Sequence, residues 1–183
     1  MLPFTKIQDW SDRSKIFSIK PKEQTPKSLN GIPMISKNFS SWNSLTSTIE
    51  EPSESVFGSG KKAAGCIVLE KDGRVWVVHP TNQFGGYSAT FPKGTLESGM
   101  SLQATAVKET FEESGLLVKI TGFAIDVRRT TSVARYYFAQ RIGGDPADMG
   151  WESEMVSLVP VSKLHAIVNH PADKPIVDLI KSL

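Results

Sequence analysis

Apolar residues are unevenly spread along the 183-residue chain, and the change in their pattern marks its organisation. Up to about residue 60 they come singly or in pairs among Ser, Thr, Asn, Lys and Pro: Phe4, Ile7, Trp10, Phe17, Ile19, Ile32, Met34, Ile35, Phe39 and Trp42. That is too much apolar surface for a solvated tail. Residues 1–60 are therefore expected to form an extended arm of short strands or turns, packed on the main domain or on a second subunit. Within it, Phe39, Trp42 and Leu45 are spaced for a short helix capped by Asn38 or Ser40, and EEPSESVFGSG (50–60) has the composition of a linker.

From residue 61 to 183 the pattern is that of one folded domain. AAGCIVLE and RVWVVHP flank the turn KDG, which predicts a hairpin of two strands central in their sheet, with Trp76 in the core. Tyr87 to Phe91 predicts a short strand, and Leu117 to Val127 and Val133 to Ile142 predict two longer ones. ESEMVSLVPVSKLHAIV reads as a strand followed by a helix, and Ile176, Leu179, Ile180 and Leu183 form one face of a last helix.

Between these elements, LQATAVKETFEES predicts a helix from Leu102 to Ser114, with Ser101 as N-cap and Gly115 as the left-handed residue that ends it. Its inward stripe is Leu102, Ala106 and Thr110, or Ala104, Val107 and Phe111. Glu109, Glu112 and Glu113 lie at i, i+3 and i+4 on one side. Like charges so spaced destabilise a helix, and carboxylates in its last turns oppose the negative end of the helix dipole. A hard divalent cation is the natural partner, because Mg²⁺ binds through a few carboxylate oxygens and leaves other positions to water and phosphates.

The spacing Gly94, five residues, Met100, seven residues, Lys108-Glu109, then Glu112-Glu113, one residue, Gly115 and Leu116 resembles the Nudix box. Two positions depart from it: the family usually has Glu at Met100 and Arg at Lys108. The resemblance implies an α/β fold, a Nudix-type α/β/α sandwich around a mixed sheet, here with an N-terminal extension. It also implies Mg²⁺ or Mn²⁺ held by Gly94, Glu109, Glu112 and Glu113, with Glu152 or Glu154 as a further ligand and a general base among Glu113, Glu152 and Glu154. The reaction implied is attack of water on a diphosphate linkage of a nucleoside diphosphate derivative or a nucleoside or dinucleoside polyphosphate. The competing expectation is a weak or inactive nucleotide-binding or partner-binding module, which Met100 and Lys108 favour and the three glutamates oppose. Candidate substrate contacts are Lys93 in FPKG, the cluster Arg128, Arg129 and Arg135, and the aromatics Tyr87 and Trp151. The three histidines have no partner at a recognisable catalytic spacing and are read as structural.

Composition narrows the rest. A net charge of +2 is not the concentrated positive field of a dedicated nucleic-acid binder, so the expected partner is a small nucleotide-type molecule. Cys66 is the only cysteine, which excludes an internal disulfide and a thiolate zinc site. No stretch suits a membrane span or signal peptide, so a cytoplasmic location is expected, and the resemblance adds a homodimer to the expectations.

Overall fold

The computed structural model describes residues 9–46 and 49–183; Phe4 and Ile7 of the expected arm lie outside them. Two sheets form the centre. One has the strand order β6 (Lys93–Thr95), β4 (Lys61–Val68), β8 (Ser132–Gly144) and β7 (Leu116–Arg128). The other has the order β1 (Phe17–Ile19), β9 (Ser153–Pro160) and β5 (Arg74–Pro80). The β4–β8 pair is parallel and the other pairs are antiparallel, so the sheet structure is mixed.

Both faces are covered, which is why β4 and β5 read as almost unbroken apolar runs. On one side, Cys66, Val68, Trp76, Tyr137 and Leu158 pack with Leu102, Ala106 and Val107 of α1 (Leu102–Ser114) and with Trp10, Phe17 and Ile19 of the arm. On the other side, Ile67, Val75, Val77, Tyr136 and Val159 meet Leu164 of α2 (Leu164–Ile167) and Ile176, Val177 and Ile180 of α3 (Lys174–Lys181). This is the α/β/α sandwich.

The KDG turn closes as expected: Gly73 N–H donates to the Glu70 carbonyl, and Glu70 N–H donates to Arg74. The hairpin expectation is nonetheless corrected. Beyond one bridge between Leu69 and Val75 the strands separate, β4 pairing with β8 and β6 while β5 pairs with β9. With both faces of each strand buried, local alternation cannot hold them in one ladder.

The described arm lies against its own domain. Phe17–Ile19 adds a strand to β9, and β2 (Ser28–Leu29) and β3 (Ile32–Pro33) form a small hairpin. A buried network ties that hairpin down: Glu70 accepts hydrogen bonds from Asn30, Trp76 and Arg141, and Arg141 donates to the Leu29 carbonyl. The Phe39–Leu45 region forms a 3-10 turn over Trp42–Leu45 rather than an α-helix, with Ser41 and not Asn38 or Ser40 at its N-cap position. Trp42 packs between Phe39, edge to face, and Phe111, tilted, with centroids 5.3 and 5.4 Å away, so Phe111 is covered by the arm. The expected linker is also anchored. Glu51 takes Arg135, Tyr137 and Gln103 as donors, and Glu54–Phe57 is a 3-10 turn.

Candidate functional site

Helix α1 carries the site, and its ends are set by the residues expected. The Ser101 hydroxyl accepts from Ala104 N–H, and Gly115, at φ 69°, donates to the Phe111 carbonyl. Its C-terminal carbonyls are further satisfied by Gly150 N–H, which donates to Glu112 O at 2.7 Å.

Strand β6 brings the loop before the box against this helix. Gly65 of β4 makes the approach possible, since a Cβ there would lie 2.1 Å from the Pro92 carbonyl. Lys93 N–H donates to Glu113 Oε2 at 3.1 Å. At Gly94 an added Cβ would stand 2.0 Å from the Glu109 carboxyl carbon, so only glycine leaves room for that carboxylate. Glu109 and Glu113 thus meet neighbouring backbone positions of one strand. Burial above all, with a smaller push from the neighbouring carboxylates including Glu152, holds Glu109 up at about 7 and Glu113 at about 8, against the opposing charge of Lys108 on the first and Lys93 on the second.

Glu112 behaves differently. Its carboxylate is half exposed and pairs with Lys108 Nζ at 2.8 Å, and the same ammonium holds Glu97 at 2.8 Å. Lys108 therefore ties the loop to the helix, and the two carboxylates outweigh partial burial to raise its pKa. Among the described residues no three His, Cys, Asp or Glu side chains converge closely enough to hold an ion. Glu109, Glu112 and Glu113 share a side of the helix, and Lys108 stands 2.8 Å from Glu112 and 3.9 Å from Glu109. The donor chemistry still fits a hard divalent cation. Two enclosed carboxylates stay raised by burial although Lys108 stands 3.9 Å from one and Lys93 acts on the other, and the glycine cradle leaves the backbone beside them open. Met100 turns elsewhere: it lines a cavity of about 510 Å³ with Ile49, Glu51, Leu96 and Arg135, beneath the arm.

Of the two late glutamates, Glu152 is felt by both Glu109 and Glu113, whereas Glu154 is felt by His79. They stand two residues apart at the start of β9, where His79/Pro80 shifts register, and the sequence offered no means of choosing between them. Trp151 is 83% exposed, and its carbonyl accepts from Thr81 Oγ1.

The three arginines separate completely. Arg128 is exposed at the end of β7. Arg135 is fully buried among Asp126, Glu51 and the Pro52 and Ser53 carbonyls. Its partners are Asp126 and residues 51–53, so the guanidinium fastens the end of the arm, and among the described residues it makes no contact with Glu109, Glu113 or Lys93. Arg129 instead reaches the Tyr136 hydroxyl at 2.7 Å and the Tyr87 hydroxyl at 3.1 Å. Tyr87 is stacked on His170 at 4.0 Å, with Lys93 Nζ 5.2 Å and the Arg129 guanidinium 5.7 Å from its ring centre. One face of Tyr87 is thereby occupied. Burial lowers the Lys93 pKa, and among the described residues its ammonium makes no hydrogen bond or ion pair. Asp173 and Thr90, which complete this cluster, carried no signal in the sequence.

The NUDIX domain model matches residues 60–180. The chain belongs to that family. A putative mutator protein MutT4 from Mycobacterium tuberculosis is 24% identical over 102 residues, covering 51% of this chain and 41% of the relative. An RNA pyrophosphohydrolase from Caulobacter vibrioides is 29% identical over 92 residues, covering 49% and 50%. The chain therefore spans about half the length of these curated relatives. Among solved structures, a NUDIX hydrolase from Nitrosomonas europaea superposes with a TM-score of 0.58 at 21% identity, over 69% of this chain and 73% of that one. A C. elegans Ap4A hydrolase does so at 0.54 and 15%, over 67% and 96%. These likenesses establish the Nudix fold. Among the described residues no helix is long and apolar enough to cross a membrane.

Proposed function

We propose that this Nudix protein hydrolyses a phosphoric anhydride linkage in a nucleoside diphosphate derivative or a nucleoside or dinucleoside polyphosphate. Residues 61–183 carry the chemistry, and residues 9–46 and 49–60 brace it. The observation that carries the reading is the pair of enclosed carboxylates, Glu109 and Glu113, set against Gly94 and Lys93 with Lys93 and Arg129 beside them. Acidic groups adjoining cationic side chains suit a substrate whose anionic oxygens lie next to a site for a divalent cation. The kinship with an RNA pyrophosphohydrolase supports the same reaction class.

Glu109, Glu113, Glu112 and the Gly94 carbonyl would hold Mg²⁺ or Mn²⁺, which neutralises phosphate oxygens and lowers the pKa of the attacking water. Lys93 contributes a mobile positive charge to a phosphate oxygen. Arg129 offers a fixed one, and Tyr87 and Tyr136 set its plane. Glu152 accepts the proton of the attacking water, being the late carboxylate whose field reaches Glu109 and Glu113. Lys108 neutralises part of the Glu112 charge and ties it to Glu97 on the preceding loop.

The test is release of phosphate or mononucleotide from a panel of nucleoside diphosphate derivatives and polyphosphates with Mg²⁺ or Mn²⁺, beside Glu113→Gln and Glu112→Gln. Metal-dependent turnover that collapses in the variants is expected. The second reading, a binding module, is favoured by the Lys108–Glu112 pair. It would prevail if a nucleotide bound while wild type and variants were equally inert.

A further inference from the structure

The cluster behind Lys93 contains a group the proposed reaction does not use. Asp173 lies in the 3-10 turn Pro171–Asp173, just before α3, and is completely buried. Its Oδ1 is 2.6 Å from Arg129 Nη2, a close ion pair outside good hydrogen-bond alignment, and its Oδ2 accepts from Thr90 Oγ1 at 2.7 Å. Arg129 keeps only 6% of its side chain exposed, yet its Nε has no partner. Contacts run without a break from the acidic site to this point. Glu113 meets Lys93, Lys93 and Arg129 share the Tyr87 ring, and Arg129 meets Asp173. A buried guanidinium held by three side chains, with one N–H left unpartnered, makes a cluster that lacks one acceptor.

We infer that Asp173 is a positioning residue: anchored by Thr90, it aims Arg129 beside Lys93, so the segment before the C-terminal helix completes the phosphate-binding side of the site. The inference rests on the diphosphate chemistry of the proposed function, but not on turnover.

The test measures binding of inorganic pyrophosphate by calorimetry with Mg²⁺ present, for the full chain and for Asp173→Asn, Arg129→Gln and their double variant. KM and kcat are measured in parallel on whichever panel nucleotide turns over. A hydrogen-bonded charge contributes enough that each single variant is expected to bind about tenfold more weakly. The double variant is expected to be no weaker than Arg129→Gln alone, because Asp173 acts only through that side chain. KM should rise by more than kcat falls. Thr90→Val should give a smaller loss in the same direction, and it carries the test if Asp173→Asn does not fold. Unchanged pyrophosphate binding in Asp173→Asn and Thr90→Val, or losses that add in the double variant, would overturn the inference. If pyrophosphate binding follows the expected pattern while nothing is hydrolysed, the hydrolase reading falls and the positioning role stands. Brisk hydrolysis with binding indifferent to Asp173 gives the reverse.

Discussion

Gly94 and Glu109 are packed so closely that a single added methyl on the glycine would lie within 2.5 Å of all three atoms of the carboxylate. Strand β6 and helix α1 therefore meet through the carboxylate end of Glu109. Gly94→Ala is expected to fold, because the strand needs no left-handed backbone there, but to displace Glu109. A displacement of about 1 Å at such a group costs roughly 100-fold in rate. Steady-state kinetics with Mg²⁺, checked by an unchanged circular dichroism spectrum, would test this; full activity would mean that Glu109 can sit elsewhere.

The two late glutamates should differ in function as they do in place. Glu152→Gln removes the carboxylate whose field reaches the site and should lower kcat by about 100-fold or more, as loss of a general base does. Glu154→Gln, beside His79, should stay within about 0.5 kcal/mol of wild type in stability, with little change in rate. Equal losses in both would mean that neither is the base.

Arg135 is predicted to matter for stability alone. Arg135→Met would leave Asp126 without its partner and take one of three donors from Glu51, and breaking a buried pair in this way costs about 3–5 kcal/mol. Urea unfolding would read that loss. A KM increase in protein that remains folded would restore the substrate role that the sequence suggested for it.

The carboxylates also predict a pH dependence. Glu109 and Glu113 titrate near 7 and 8 in the folded protein, against an ordinary 4.5. Between those values the folded state binds more protons than the unfolded one, so this contribution to stability is complete below about pH 4.5 and is lost as pH rises to about 8. Melting temperature in EDTA should fall across that window, and Glu113→Gln should flatten the fall. Mg²⁺ should stabilise more strongly at the alkaline end, because its ligands must ionise before they bind. A flat profile in EDTA would show that the pair is better solvated than its packing implies.

The sequence by itself determined what short-range forces decide. Helix α1 has its period, its Ser101 cap and its left-handed Gly115 within one contiguous segment, so its limits and its acidic side were legible without the rest of the chain. The box residues that identify the family lie in the same stretch, and the two long strands followed from alternation and apolar runs. Tertiary structure decided everything that depends on which distant surface a residue meets. KDG makes its turn, but only burial on both faces sends β4 and β5 into different sheets. Alternation shows that Arg135 and Tyr136 face opposite ways, but not which way leads to the site. Thr90 and Asp173 are 83 positions apart, and their contact exists because α3 docks on the sheet beside Tyr136. Lys108 could be read as a weaker substitute for arginine, yet its hold on Glu112 and Glu97 depends on how the preceding loop folds back along the helix. Local preferences are set by neighbours in the chain, whereas pairing, register and the fate of a buried charge are set by the packing of the whole chain.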